Sequence, residues 1–94
     1  MRLLGRLRLE EFAALHPDAR GALRAWEQEV LAAEWKSPAE LKTRYPSASL
    51  LGQGRVVFNI RGNRYRLLTT IAYNTGVVTI EMLGTHAEYD EWSL

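Results

Sequence analysis

The sequence contains 94 residues, a length that fits one compact domain over residues 1–94 and leaves no room for a second. Hydrophobic residues make up 47% and charged residues 24%, the balance of a folded chain and not of a disordered one. The absence of cysteine excludes disulfides, thiolate nucleophiles and cysteine-ligated metal sites, and a net charge of +1 means that an anionic ligand must meet a local basic patch.

The chain carries no predicted membrane segment. Charges at Arg6, Arg8, Glu10 and Glu11 interrupt the N-terminal region before it forms the apolar run of a secretory signal. No stretch approaches the roughly 20 apolar residues that span a bilayer. We therefore expect a cytoplasmic protein that makes no membrane contact.

Hydrophobic periodicity predicts that the first half of the chain is mainly helical. After a short edge strand at residues 1–4, apolar residues spaced by about 3.6 positions predict helices over residues 8–16 and 19–33. Asp18 is the expected N-cap of the second helix. A serine followed by proline and, two positions later, glutamate predicts a third helix over residues 38–44.

The second half alternates apolar and polar residues from Arg55 onward, which predicts strands. A Gly-Asn pair at residues 62–63 predicts a hairpin turn, and residues 74–76 predict a second reversal. The resulting register pairs Asn59 with Arg66, Val57 with Leu68 and Ala72 with Val77, and it aligns Val78, Ile80 and Met82 with Ile71, Thr69 and Leu67.

This register predicts a sheet with two unlike faces. The apolar face, which the first two helices must cover, comprises Val56, Phe58, Ile60, Tyr65, Leu67, Ile71, Val78, Ile80 and Met82. The opposite, uncovered face comprises Asn59, Arg61, Arg64, Arg66, Thr70, Thr79 and Glu81. The predicted fold class is therefore α+β, a small antiparallel sheet with two to three N-terminal helices packed on one face.

Three arginines are expected to lie together on the polar face. Guanidinium groups of Arg61, Arg64 and Arg66, held by two adjacent strands, would suit the oxygens of a phosphodiester. An open alternative is that these arginines only keep an exposed sheet face soluble. Glu81, one strand away and diagonal to Arg66, is the only acid expected nearby.

His86 follows the last predicted strand, where an imidazole can reach back over the polar face and transfer a proton. Tyr89 and Asp90 add hydrogen-bonding groups to the same predicted turn. The alternative is that His86 only caps the end of the chain. No protein nucleophile, phosphate loop or metal-ligand cluster is visible in the sequence, whereas RNA carries its own nucleophile, the 2′-hydroxyl.

Four segments, HPDARGALRAW, WKSPAELKTRYPSAS, RVVFNIRGNRYRLL and LGTHAEYDEW, resemble in this order the HigB toxins of the RelE-like superfamily. The resemblance is most specific in VVFNIRGNRYRL and GTHAEYD. It implies a ribosome-associated endoribonuclease that cuts mRNA without metal or cofactor, by attack of the RNA 2′-hydroxyl on the adjacent phosphate. It also implies a cognate HigA antitoxin with a helix-turn-helix domain, and contact with DNA only through the antitoxin complex.

The resemblance also implies roles for individual residues. The catalytic set is Arg66, Arg61, His86 and Tyr89, and the substrate-binding set is Arg64, Asn59 and Asn63. Arg66 would hold the scissile phosphate, His86 would transfer a proton, and Tyr89 would stack on a base or orient the substrate. Asn63 would serve mainly the turn.

Two positions depart from the family pattern. Many members that resemble this chain carry a basic residue where Glu81 stands, and often another where Thr70 stands. Both changes make the predicted face less positive, and an ion pair between Glu81 and Arg66 would partly neutralise the phosphate site. The alternative function is therefore a catalytically weak or inactive member that binds antitoxin or RNA. A protein that binds DNA alone is a third hypothesis, but no recognition helix is visible.

Overall fold

A computed structural model describes all residues, 1–94, and gives five strands, four α-helices and one 3-10 helix. In chain order they are β1 (Arg2–Leu4), α1 (Arg6–Leu15), a 3-10 helix (Pro17–Ala19), α2 (Arg20–Ala32), α3 (Pro38–Arg44), β2 (Ser49–Gly52), β3 (Arg55–Ile60), β4 (Tyr65–Ala72), β5 (Val77–Thr85) and α4 (His86–Asp90). The strands form one sheet in the order β1-β5-β4-β3-β2. The predicted α+β class is confirmed, although the sheet is mixed because β1 runs parallel to β5.

The N-terminal helices form where the apolar spacing predicts them. In α2, the side chains of Leu23, Trp26 and Val30 recur every three or four residues and are all buried, so one stripe of the helix faces the sheet. The α-amino group of Met1 donates hydrogen bonds to carbonyl oxygens at the end of this helix, including that of Val30 at 2.9 Å. These bonds fasten β1 to α2 and satisfy carbonyl groups that lack partners within the helix.

The prediction that Asp18 caps the second helix is wrong. Pro17 starts a 3-10 turn that leads directly into α2, and the N-cap position falls on Ala19, which makes no side-chain capping bond. Asp18 lies inside that turn, and its carboxylate is bonded to residues of the distant β3–β4 region. By contrast, the predicted third helix is confirmed with its cap, because the Ser37 hydroxyl accepts a hydrogen bond from the backbone N–H of Glu40.

The core lies between the sheet and the helices. Phe58 is its centre, with the rings of Trp26 and Tyr45 packed edge-on at 5.3 and 5.1 Å between centroids. Leu41 of α3 is fully buried in the same cluster. The strand residues that face these helices are Val56, Phe58, Ile60, Tyr65, Leu67, Ile71, Val78 and Ile80, as the alternation predicts.

A β-bulge shifts the pairing of the last two strands. The predicted pairs of Ala72 with Val77 and of Thr69 with Ile80 are present, but an extra residue on β5 then changes the register, so that Met82 pairs with Leu68. The prediction that Met82 lies on the apolar face opposite Leu67 is therefore wrong. The alternation of apolar and polar residues cannot reveal one inserted residue, because the residues on each side of the insertion still alternate with a period of two.

The second face of the sheet is less polar and less open than predicted. Val57 and Leu68 are buried on it, outside the main core cluster, and Trp92 and the short helix α4 cover its end. The edge strand β2, which pairs with β3, was not predicted from the sequence. None of the helices has the length and apolar character needed to cross a membrane.

Candidate functional site

The end of the sheet where the β3–β4 loop, residues 61–64, meets helix α4 gathers most of the residues that the sequence singled out. The backbone N–H of His86 donates a hydrogen bond of 2.9 Å to the carbonyl oxygen of Arg64, which ties α4 to the loop. In the sheet, Arg66 is paired with Gly84 on one side and with Asn59 on the other. We call this region the hairpin end of the sheet.

Arg66 is an interior cation. Its side chain points away from the main core, because its neighbours Tyr65 and Leu67 point into it, yet only 7% of the residue is exposed. Nη1 donates to the carbonyl oxygens of Asn63 at 2.9 Å and Tyr65 at 3.3 Å, and Nη2 donates to Asn63 Oδ1 at 2.8 Å. All three acceptors are neutral, and Arg66 forms no ion pair with an acidic side chain.

A buried guanidinium without a counter-ion is unusual, because buried charges are normally paired. The ring of Tyr89 partly compensates the charge of Arg66, whose Cζ atom lies 5.2 Å from the ring centroid. Neutral oxygens and a ring face stabilise a cation less than an anion does. The arrangement is therefore suited to receive an anionic group at the exposed edge of Arg66.

Helix α4 places Tyr89 beside this cation and begins with His86, next to the β3–β4 loop. Thr85 and Glu88 form a capping box, in which the Thr85 hydroxyl accepts from the Glu88 N–H and Glu88 Oε1 accepts from the Thr85 N–H. The predicted turn at this position is a helix, and its Thr-x-x-Glu spacing is a helix-start signal that the prediction did not use. His86 is the first helical residue, its side chain is 47% exposed, and its Nδ1 lies 3.4 Å from Asp90 Oδ2.

Glycine at position 84 lets the C-terminal residues close over the sheet. A Cβ atom there would lie 2.8 Å from Cζ2 of Trp92, so the indole occupies the space that any other residue would fill. Trp92 in turn packs edge-on against Tyr89, with 5.4 Å between ring centroids. Trp92 was not predicted as a site residue, and it supports the ring that covers Arg66.

The prediction that Arg61, Arg64 and Arg66 share one open face is wrong. Arg61 and Arg64 lie in the loop and not in a strand, so strand alternation does not govern them. Their Nη1 atoms donate to Oδ2 of Asp18 at 2.5 and 2.9 Å, on the helix-covered side of the sheet, whereas Arg66 points to the other side. The loop thus separates two basic groups, one on each side of the hairpin.

Asp18 also accepts a hydrogen bond of 2.6 Å from the Tyr65 hydroxyl. This bond, followed by the nearby guanidinium groups of Arg64 and Arg61, lowers the pKa of Asp18 below its usual value, so its carboxylate is ionised at neutral pH. The same bond raises the pKa of Tyr65. No spacing signal could have identified Asp18, because its partners are more than 40 positions away in the sequence.

The two asparagines differ in what they contact. Asn63 holds Arg66 through its backbone and side-chain oxygens, so it does more than shape the turn. Asn59 is half-buried, and its Nδ2 donates a long hydrogen bond of 3.4 Å to the carbonyl oxygen of Ser47. It lies in register with Arg66 but makes no side-chain hydrogen bond to it.

Glu81 does not neutralise Arg66. It is the extra residue of the bulge in β5, and its Oε2 accepts a hydrogen bond of 2.9 Å from the Thr70 hydroxyl. The two residues that depart from the family pattern therefore bind each other. The structure contains no ion pair between Glu81 and Arg66, so Glu81 does not neutralise the charge of Arg66.

Comparison with known proteins gives one family. The sequence model of the HigB_toxin family, described as the RelE-like toxic component of a toxin-antitoxin system, matches residues 19–92, which is more than three quarters of the chain. No curated protein matches the sequence. The matched segment contains the β3–β4 hairpin and helix α4 in full, and it omits β1 and α1.

Proposed function

We propose that this chain, which belongs to the HigB family of RelE-like toxins, is an endoribonuclease that cuts mRNA at the hairpin end of its sheet. Family membership makes it the toxic component of a toxin-antitoxin system and implies an antitoxin partner. The observation that carries the catalytic proposal is Arg66, a buried guanidinium that has no acidic partner and lies against the ring of Tyr89, in the same short helix as a half-exposed histidine. A phosphodiester supplies the anion that this cation lacks.

The proposed reaction uses the RNA as its own nucleophile. The 2′-hydroxyl loses its proton and its oxygen bonds to the adjacent phosphorus, while the bond from phosphorus to the 5′-oxygen breaks and that oxygen takes up a proton. The products are a 2′,3′-cyclic phosphate and a 5′-hydroxyl. Arg66 stabilises the negative charge that grows on the phosphate oxygens during this exchange.

The other residues of the site are proposed to position the RNA and to move protons. His86 performs one of the two proton transfers, since its imidazole is accessible and its ring nitrogens can both donate and accept a proton. Tyr89 covers Arg66 and offers its other edge to a base. Asn63 orients Arg66, and Asn59, one strand away, bonds substrate.

The cellular setting follows from the family in the same proposal. We expect the toxin to act in the cytoplasm on ribosome-bound mRNA, without metal or cofactor, and to be silenced by a HigA-type antitoxin with a helix-turn-helix domain. DNA contact would then belong to the antitoxin complex. Co-purification of the chain with the product of a neighbouring helix-turn-helix gene, and loss of toxicity when the two are expressed together, are the results expected.

The test of the catalytic proposal is cleavage of RNA in two assays. In the first, the purified chain acts on free RNA with EDTA present to remove metal ions; in the second, it acts in a translating extract that keeps its magnesium. We expect products that end in a 2′,3′-cyclic phosphate, identified by mass spectrometry. His86→Ala should abolish them and keep the melting temperature, since the imidazole is exposed and its nearest carboxylate lies 3.4 Å away. Arg8→Ala, which removes an exposed and unpaired arginine from α1, is the control and should cut like the wild type.

The alternative of a catalytically weak member predicts a different pattern. Full-length mRNA and undiminished protein synthesis at high toxin concentration, together with tight antitoxin binding, would replace the enzyme proposal by that of a binding module. In that case Arg66→Ala would leave cell growth unchanged. Slow cleavage of free RNA combined with fast cleavage in the translating extract would instead support the enzyme and its dependence on the ribosome.

A further inference from the structure

Two arginines of the β3–β4 loop converge on one oxygen atom, on the opposite side of the hairpin from Arg66. Arg61 Nη1 lies 2.5 Å and Arg64 Nη1 lies 2.9 Å from Oδ2 of Asp18. The two nitrogen atoms are therefore at most 5.4 Å apart, the sum of those distances. Without a shared anion, two guanidinium groups would repel each other at such a separation.

The shared carboxylate is anchored to the core. Asp18 Oδ1 accepts from the hydroxyl of Tyr65, whose ring is buried and packs edge-on against Phe12 at 5.4 Å. The carboxylate is thus a fixed brace and not a mobile surface group. Arg61 moreover has a backbone φ of 52°, in the left-handed region that favours glycine. An arginine therefore occupies a backbone conformation that residues with a side chain rarely adopt.

Most donors of the two guanidinium groups remain free. Each group carries five N–H bonds, and its bonding to Asp18 is through Nη1 alone. The side chains of Arg61 and Arg64 are 45% and 64% exposed, and the three charges leave a net positive charge of one. The cluster therefore presents two oriented, accessible forks to an anion in solvent.

A groove adjoins this cluster on the helix side. It has a volume of about 210 Å³, and its wall includes Arg61, Asn59, Tyr45 and Trp26. Glu29 also lines it, and its carboxylate is paired with Arg44 and accepts a hydrogen bond from the Tyr45 hydroxyl. Trp26 is almost fully buried, and its indole Nε1–H has no hydrogen-bond acceptor. This nitrogen has no exposed surface, so a ligand reaches it only when a side chain of the wall moves aside. A ligand that brings an acceptor would then satisfy the donor, as the carbonyl groups and ring nitrogens of nucleobases can.

We propose that Arg61 and Arg64, braced by Asp18, clamp a second phosphate of the RNA chain, and that the adjoining groove takes the base of that nucleotide. The clamp is close to the reaction centre in the chain, because Arg64 also accepts the backbone hydrogen bond of His86. This inference rests on the proposed ribonuclease function and adds to it a substrate requirement. The chain should bind RNA of several nucleotides, and a dinucleotide with its single phosphate should bypass the clamp.

The experiment compares two uncleavable ligands, a 2′-O-methyl RNA dinucleotide and a hexanucleotide, whose binding is followed by NMR titration and fluorescence anisotropy. Arg61→Ala combined with Arg64→Ala should weaken hexanucleotide binding about 10- to 100-fold, the value of one or two charged hydrogen bonds. Dinucleotide binding should not change. The slope of log affinity against log salt concentration should decrease by about 0.7, which corresponds to one phosphate contact on a single strand.

The matched control removes the same charge elsewhere. Arg8 and Arg24 are exposed and form no ion pair, so the double variant Arg8→Ala with Arg24→Ala lowers the net charge equally without touching the clamp. If this control weakens the hexanucleotide as much as the loop variant does, the effect is general electrostatics and the clamp is refuted. Arg61→Gln combined with Arg64→Gln is the second variant if the alanine pair fails to fold.

Trp26→Phe tests the groove separately, because it removes the unpaired N–H and keeps an aromatic ring in the core. We expect hexanucleotide binding to fall severalfold while the dinucleotide is unaffected; unchanged hexanucleotide binding would refute the base pocket. If the wild-type protein cuts RNA but the variant without Arg61 and Arg64 binds the hexanucleotide as tightly as the wild type does, the clamp alone is refuted. A wild-type protein that neither cuts nor binds RNA refutes the proposed function, and the clamp with it.

Discussion

Replacement of Arg66 by methionine tests whether the charge of this residue is needed for RNA cleavage or for the stability of the fold. Methionine has a similar length and no charge, so it can fill the space beneath Tyr89 without a counter-ion. If Arg66 exists to bind phosphate, the variant Arg66→Met should keep the stability of the fold and lose RNA cleavage. If Arg66 is a structural anchor, the fold should fail first.

The magnitudes follow from the contacts of the guanidinium group. The variant loses three hydrogen bonds, two of them to Asn63, which is exposed so that water can replace the donor. It also loses the contact with Tyr89, worth about 1 kcal/mol. In return, the folded state no longer desolvates an unpaired ion, a cost of several kcal/mol. These opposing terms are of similar size, so we expect a net change within about 1 kcal/mol, or about 4–8 °C in melting temperature.

Cleavage should respond far more strongly than stability. Removal of one group that stabilises developing charge typically costs about 100- to 1,000-fold in rate. Thermal melting followed by circular dichroism, together with cleavage of a fluorogenic RNA, measures both quantities on one sample, and Arg8→Met controls for loss of a charge at an exposed position. A loss of more than about 3 kcal/mol, or full cleavage by the folded variant, would refute the reasoning.

Three further variants test the surroundings of the site. Gly84→Ala places a Cβ atom 2.8 Å from Trp92, so helix α4 must shift, and we expect reduced cleavage with a stability loss of about 1–3 kcal/mol. Gly21→Ala is its control: nothing lies within 4 Å and the site is helical, so melting temperature should rise, by the equivalent of about 0.5–1 kcal/mol. The lowered pKa of Asp18 stabilises the fold above pH 4, and this contribution is lost as pH falls through the folded-state pKa. Asp18→Asn should therefore show a smaller drop in melting temperature than the wild type between pH 5 and 2, and an equal drop would show that the bond to Tyr65 adds no charge-dependent stability.

Patterns local in the sequence predicted the fold well. The pairing of Asn59 with Arg66 follows from two alternating strands around a Gly-Asn turn, and the loop of four residues between Ile60 and Tyr65 keeps the same register as the predicted two-residue turn. The cap at Ser37 follows from a spacing of three residues. Each of these rules depends only on neighbours within a few positions, which the sequence displays directly.

The site was predicted less well, because its contacts join distant positions. Arg61 was assigned to a strand face, but it lies in a loop with a positive φ, where its side chain can turn to the opposite side. Asp18 was assigned to a helix cap, because aspartate is common there, yet an ion pair across more than 40 positions held it instead. The burial of Arg66 depends on Trp92 and Tyr89, which return to the sheet through helix α4, where only a turn is predicted.

The acidic residues of the chain divide between the helices and the site. Glu27 pairs with Arg6 and Glu29 pairs with Arg44, whereas Asp18 contacts the arginines of the β3–β4 loop and Asp90 lies beside His86 in α4. The hairpin end of the sheet therefore carries acids as well as guanidinium groups, and field strength at short range depends on how these charges are arranged and not on their sum. On this reasoning, adding an acid at the exposed edge of Arg66 should harm RNA binding far more than adding one on α1, although both change the net charge equally.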